Sequence, residues 1–192
     1  MDLVFASNNQ HKVEEVQVLI GTKINLKSLN EIGCHDEIPE TGDTFIENAS
    51  QKSRFVYERY HLNCFADDSG LEIDALNGEP GVHSAHYSGS RDFQENMSLV
   101  LARLEGKTDR KARFKTVISL ILEGKEHLFE GIIEGEISLQ QSGKRGFGYD
   151  PIFIPEGYDT SFAEMSAEEK NKISHRAKAM EKLIQFLNSQ LS

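Results

Sequence analysis

Residues 3–20, LVFASNNQHKVEEVQVLI, carry the strongest fold signal in the chain. Leu3 to Ala6 is a short unbroken apolar run, as in a buried strand, and Lys12 to Ile20 places Val13, Val16, Leu19 and Ile20 at helical spacing. Ser7-Asn8-Asn9-Gln10-His11 is then a strand-to-helix turn. The same order recurs downstream. Thr44 to Tyr60 reads as a helix opened by the capping box Thr44-x-x-Glu47, with Phe45, Ala49, Phe55, Val56 and Tyr60 facing inward. Leu62 to Ala66 reads as a second buried strand ending in Asp67-Asp68-Ser69-Gly70, and Leu71 to Leu76 as a further short strand.

Outward from there, Phe93 to Glu105 is helical, with Met97, Val100, Leu101 and Leu104 on one face. Lys111 to Leu122 and His127 to Leu139 are β-branched and aromatic segments hinged at Glu123-Gly124-Lys125, the pattern of a hairpin. A glycine-rich loop, Gly143 to Gly148, precedes a short strand at Pro151 to Ile154. Ser166-x-x-Glu169 is a second capping box, and an amphipathic helix runs from Ser174 to Leu191. Early βαβ order followed by a late hairpin predicts an α/β protein with a mixed sheet, in one domain over residues 1–192.

The 192 residues carry 21 Lys and Arg against 31 Asp and Glu, a formal charge of −10. Nucleic acid and anionic membrane surfaces are therefore poor partners, unless the cations are gathered in one place. At 38% hydrophobic the chain can bury a core. Cys34 and Cys64 lack C-x-x-C spacing, and Met1-Asp2 puts an acid where a signal peptide carries positive charge; both point to the cytoplasm.

Four segments can do chemistry. The turn Ser7 to His11 offers small polar side chains and helix N-terminal N–H groups, with Lys12 a turn away, which suits a phosphate; the alternative is a plain N-cap. Asp67-Asp68-Ser69-Gly70 sets carboxylates at the carboxyl end of a strand, where α/β sheets hold ligands. Adjacent strand residues point to opposite faces, so one Asp meets the site and the other braces it. Glu40, Glu72 or Asp74 can join that carboxylate around Mg²⁺, or the Asp pair can simply cap a loop. Gly143 to Asp150 combines glycines with Lys144, Arg145, Phe147 and Tyr149, suited to close approach and stacking on a base. Lys170, His175 and Arg176 form a basic cluster, with Ser174 able to cap a new helix between them. No Walker motif is present, and His83-x-x-His86 lacks the partners of a zinc site.

Together these segments resemble the inosine triphosphate pyrophosphatase family, in its bacterial form. The marks are SNNQHKVEEV (7–16), ETGDTFIENASQKS (40–53), ADDSGLEIDALNGEPGVHSAHYSG (66–89), GFGYDPIF (146–153) and AEMSAEEKNKISHRAKA (163–179). The resemblance implies an elongated mixed sheet flanked by helices, of Maf/Ham type, with its cleft between two lobes. It also implies Mg²⁺-dependent hydrolysis of ITP, dITP and XTP to the monophosphate and pyrophosphate, and a homodimer. Ser7, Asn8, Asn9, Gln10, His11 and Lys12 would hold the triphosphate. Glu40 and Asp68 would bind Mg²⁺, with Asp68 also the proton acceptor. Ser69 would touch substrate, Phe147, Gly148, Tyr149 and Asp150 would enclose base and sugar, and Lys170, His175 and Arg176 would complete the site. One departure is His86, where the family pattern has arginine. A nucleotide-binding sensor without turnover, or a pyrophosphatase of other modified nucleotides, are the alternatives.

Overall fold

The computed structural model describes residues 1–22 and 24–190. Leu191, to which the periodicity extends the last helix, lies outside the described residues. Six strands, β1 (Asp2–Phe5), β2 (Asn25–Lys27), β3 (Cys64–Ile73), β4 (Lys111–Leu122), β5 (Lys125–Ile137) and β6 (Phe153–Pro155), form one sheet in the order β2-β1-β3-β4-β5-β6. β1 runs parallel to β2 and β3, while β6 is antiparallel to β5, so the sheet is mixed as the element order predicts. The helices are α1 (Gln10–Leu19), α2 (Phe45–Tyr60), α3 (Phe93–Arg103), α4 (Ala167–Ile173) and α5 (His175–Gln190).

Both predicted capping boxes form, at Thr44 with Glu47 and at Ser166 with Glu169. β4 and β5 join through Glu123 and Gly124, whose φ values of 49° and 80° give the left-handed geometry that a two-residue hairpin turn requires. Two expectations are corrected. Asp67 to Gly70 does not end a strand: β3 runs on through it and absorbs the separate strand expected from Leu71. The carboxylates there are paired rather than solvated, so nothing forces the ladder to break. Asp150 to Ile152 is a 3-10 turn, and only Phe153–Pro155 is extended. β2 escapes sequence detection because three residues are too short to show a period.

The chain divides into two compact units, one of residues 1–68, 116–131 and 176–192, the other of residues 69–115 and 132–175. In the first, strand alternation builds two cores. Leu3, Phe5, Phe65, Ile118 and Leu120 pack with Val16 of α1, with Ile20 at its C-cap, and with Met180, Leu183 and Leu187 of α5. Val4, Ala6, Cys64, Ala66 and Ile121 pack with Val56 of α2 and with Leu29 and Cys34. In the second unit, Leu71, Ile73, Phe114, Ile133 and Ile137 pack with Val100 of α3, with Leu104 at its C-cap, and with Phe153 and Phe162. Each such side chain contributes about 1.5–3 kcal/mol by leaving water. These cores hold the ends of β1 and β3, and hence the polar residues there, in fixed positions.

Candidate active site

In the first unit, β1 ends at Phe5 and α1 begins at Gln10, so Ser7 to Asn9 is the turn expected from sequence. Asn9 caps α1, its side-chain oxygen accepting the Lys12 N–H at 3.3 Å, and the Ser7 hydroxyl accepts the Asn9 N–H at 3.2 Å. Asn8, Gln10 and His11 are exposed, and Gln10 donates to Glu14 at 3.1 Å. The Lys12 side chain turns back to the sheet, where its Nζ lies 3.1 Å from Oδ1 of Asp67. Arg176, in the first turn of α5, places Nε 3.2 Å from Oδ2 of the same carboxylate and pairs its NH1 with Glu15 of α1. Asp67 and Arg176 are 1% and 2% exposed, so this is a buried network rather than a surface one.

Asp68, next along β3, faces other partners. Asn48 of α2 donates to its Oδ2 at 3.0 Å, and the Lys52 ammonium lies 3.9 Å from its Oδ1 while also binding Glu40. The two neighbouring carboxylates are thereby pushed apart in acidity. Burial favours the neutral acid at Asp67, but Lys12, Arg176 and Lys52 outweigh it and hold the carboxyl well below the usual range. At Asp68 burial prevails over Lys52, Lys12 and Asn48, and Glu40 adds to it, so the carboxyl is raised. Burial also acts on Glu40, yet Lys52 keeps it low. For Lys12, burial lowers the ammonium's pKa against the pull of Asp67, with Lys52 and Arg176 adding to the decrease. A carboxylate poised toward proton acceptance thus sits beside one locked in its ionised form, the division that acid–base sites use.

Lys12, Lys52, Arg176 and Lys170 each have a carboxylate partner in the structure. In the first unit three cations meet four carboxylates, Glu15, Glu40, Asp67 and Asp68. Glu72 and Asp74, considered as metal ligands, instead face Arg113, at 3.8 and 3.0 Å. Among the described residues no group of three or more His, Cys, Asp or Glu is arranged to hold a metal ion.

The second unit carries the remaining predicted residues. Lys170, 6% exposed, binds Oδ2 of Asp150 at 2.7 Å, and that oxygen also accepts the Phe147 N–H at 2.9 Å. The Lys170 ammonium lies over the rings of Phe147 and Phe162, 4.9 and 5.5 Å from their centroids. Gly146 has φ +72°, and a Cβ there would lie 2.0 Å from Oδ2 of Asp150, so only glycine fits this bend. Tyr149, buried, donates its hydroxyl to the Ser84 carbonyl at 2.7 Å, and burial raises its pKa. The His175 ring is stacked on Phe114 at 4.7 Å. Gly148 has φ +61° in the same loop, Ser69 is half-buried on β3, and His86 is exposed with its ring 5.6 Å from that of His83. Of the predicted residues, Lys12, Asp68 and Arg176 thus share one group around β3, and Phe147, Asp150 and Lys170 another.

The Ham1 family model matches residues 3–186. The chain belongs to the Ham1 family. Among Ham1 relatives, the dITP/XTP pyrophosphatase of Flavobacterium psychrophilum is 51% identical over 98% of this chain and 100% of its own length. That of Bacillus subtilis is 44% identical, covering 98% of each. The Ham1 protein structure from Staphylococcus aureus matches with a TM-score of 0.91 at 40% identity, over 99% of this chain and 100% of that one.

Within this Ham1 chain, sequence reasoning missed Asn48 and Glu15. Both sit inside quoted blocks, but each reads as an ordinary polar residue on a helix. Their roles depend on partners 20 and 161 residues away. No helix among the described residues is long and apolar enough to cross a membrane.

Proposed function

We propose that the chain hydrolyses dITP, ITP and XTP to the nucleoside monophosphate and pyrophosphate, in the cytoplasm, as one catalytic domain and as a homodimer. The observation that carries this reading is Asp68: a buried carboxylate raised toward proton acceptance, paired with Glu40 across Lys52, in a chain half identical to dITP/XTP pyrophosphatases. Glu40 and Asp68 converge on the Lys52 ammonium. Hard oxygens already arranged about one cation are the donor set that Mg²⁺ takes, together with substrate phosphate. They would hold the ion, which when bound supplies charge neutralisation at the phosphates.

The chain's own residues do the rest. Asp68 orients a water and accepts its proton as the oxygen attacks the α-phosphorus, and pyrophosphate leaves. Ser7 to His11 present backbone N–H groups and small polar side chains to the phosphates. Lys12 exchanges its bond to Asp67 for one to a phosphate oxygen, with Asp67 keeping the ammonium in place until substrate arrives. Ser69 and Gly148 line the sugar. Phe147 stacks on the base, and Tyr149 fixes the loop that carries it. Asp150, Lys170, His175 and Arg176 set the polar pattern around the base. Hypoxanthine and xanthine carry an acceptor oxygen where adenine carries an amino donor. Donors aimed there would be left unpaired by ATP, which is how a polar site rejects a near isostere.

Steady-state pyrophosphate release from dITP, ITP, XTP, GTP and ATP, with and without Mg²⁺, tests this. Turnover of the first three above ATP by at least about 100-fold, and only with the ion, is expected from such discrimination. Equal rates on ATP and ITP would sink the specificity. Binding without turnover would leave a sensor, and a best rate on dTTP or UTP would move the substrate class. Light scattering at a mass of two chains is expected for the dimer.

A further inference from the structure

One face of α2 holds the segment before it residue by residue. Glu47 accepts the N–H groups of Asp43 and Thr44 at 2.8 and 3.0 Å, Asn48 accepts that of Gly42 at 2.8 Å, Gln51 accepts that of Thr41 at 2.9 Å, and Lys52 binds the Glu40 side chain. Residues 47, 48, 51 and 52 share a face because the helix repeats every 3.6 residues. The strap is tight: a Cβ on Gly42 would lie 2.5 Å from Cβ of Glu47 and 3.0 Å from Oδ1 of Asn48.

Two residues of that face do more than hold the strap. Lys52 and Asn48 also reach across to Asp68 of β3. Asn48 is 4% exposed, and its amide has one orientation available. Oδ1 must accept from Gly42, because a backbone N–H can only donate, so Nδ2 is the atom left to donate to Asp68. We infer that Asn48 is a positioning residue for hydrolysis: with Gly42 fixing which end of its amide faces β3, it aims the Asp68 carboxylate and sets it relative to the Glu40 segment.

This rests on the reading of Asp68 as proton acceptor, and the experiment separates the two. Asn48→Asp has nearly the same shape and keeps an oxygen for Gly42, but it loses the donor to Asp68. Asn48→Leu loses both bonds and adds no charge. With dITP as substrate, kcat is expected to fall about 10- to 100-fold in both variants, the scale of a lost hydrogen bond to a charged group, while KM stays within about 3-fold. In an Asp68→Asn background, Asn48→Asp is expected to change kcat no further, since a residue acting through Asp68 has nothing left to aim.

Wild-type kcat in Asn48→Asp, with loss only in Asn48→Leu, would overturn the inference and leave Asn48 as a brace for the Gly42 strap. Equal additive losses in both backgrounds would overturn it as well. Should Asn48→Leu fail to fold, as a thermal melt would reveal, Asn48→Asp and the double variant still decide. Unchanged turnover in Asp68→Asn alone would instead refute the underlying reading of Asp68.

Discussion

The group around Asp67 and Asp68 and the group around Asp150 both bury charge, yet by different means. The first is a lattice of ion pairs, with cations from α1, α2 and α5 distributed over two carboxylates of β3 and two more beside them. The second holds the ion pair of Lys170 with Asp150, set among Phe147 and Phe162. A lattice of paired charges can exchange partners when a polyanion and a metal arrive, whereas an ion pair packed among aromatic rings holds a shape. The proposed reaction assigns phosphate handling to the first group and base reading to the second.

That contrast is easiest to break at Asp68. Asp68→Asn is expected to lower kcat for dITP by about 10³-fold, within the range for a lost general base, with nucleotide binding by calorimetry retained. A smaller loss than tenfold would take the proton-acceptor role away from the ion-pair lattice. Asp67→Asn tests its neighbour. It leaves Lys12 and Arg176 buried without their shared carboxylate, and breaking a buried pair costs about 3–5 kcal/mol, read as a fall in urea midpoint. Asp68→Asn is expected to move stability the other way at neutral pH, because it removes a charge whose surroundings favour the neutral acid. Two falls would mean that the neighbours do not differ as described.

In the second region, Lys170→Met is expected to raise KM for dITP about tenfold with kcat within about threefold, as a cation over an aromatic ring serves binding more than chemistry. A fall in kcat at constant KM would place Lys170 with the reacting groups instead. The smallest effect is in the acid limb of stability. Asp67 has a folded pKa below its unfolded value near 3.9, so its stabilisation is present above about pH 4 and drains as the pH falls below it. The raised Asp68 acts in reverse, favouring the fold below its unfolded value and losing that contribution as the pH rises through the folded one. Urea midpoints between pH 2 and 6 are expected to fall less steeply on the acid side in Asp67→Asn than in the wild type.

Much of this was legible in the chain. Capping boxes at Thr44 and Ser166, the strand-turn-helix of residues 3–20 and the hairpin at Glu123-Gly124 are local patterns, and local hydrogen bonds and periodicities decide them. The Asp67-Asp68 pair was visible as two carboxylates with opposite facing. Which of them would be locked and which raised was not, and the strand break expected after them does not occur. Arg176 shows the limit most plainly: its partners, Glu15 and Asp67, lie far from it in the chain and are not readable from its neighbours in sequence.

The sequence by itself determined the family, the longer helices and the hairpin, and the identity of the charged residues, because these rest on neighbours a few positions apart. Tertiary structure alone decided how the charges are matched. Lys12 lies 55 residues from Asp67 and Arg176 lies 109 residues from it, and Coulomb energies depend on ångströms rather than on chain separation. Only when α1, α2 and α5 pack on β3 does one aspartate become a counter-ion and the next a carboxyl raised by burial.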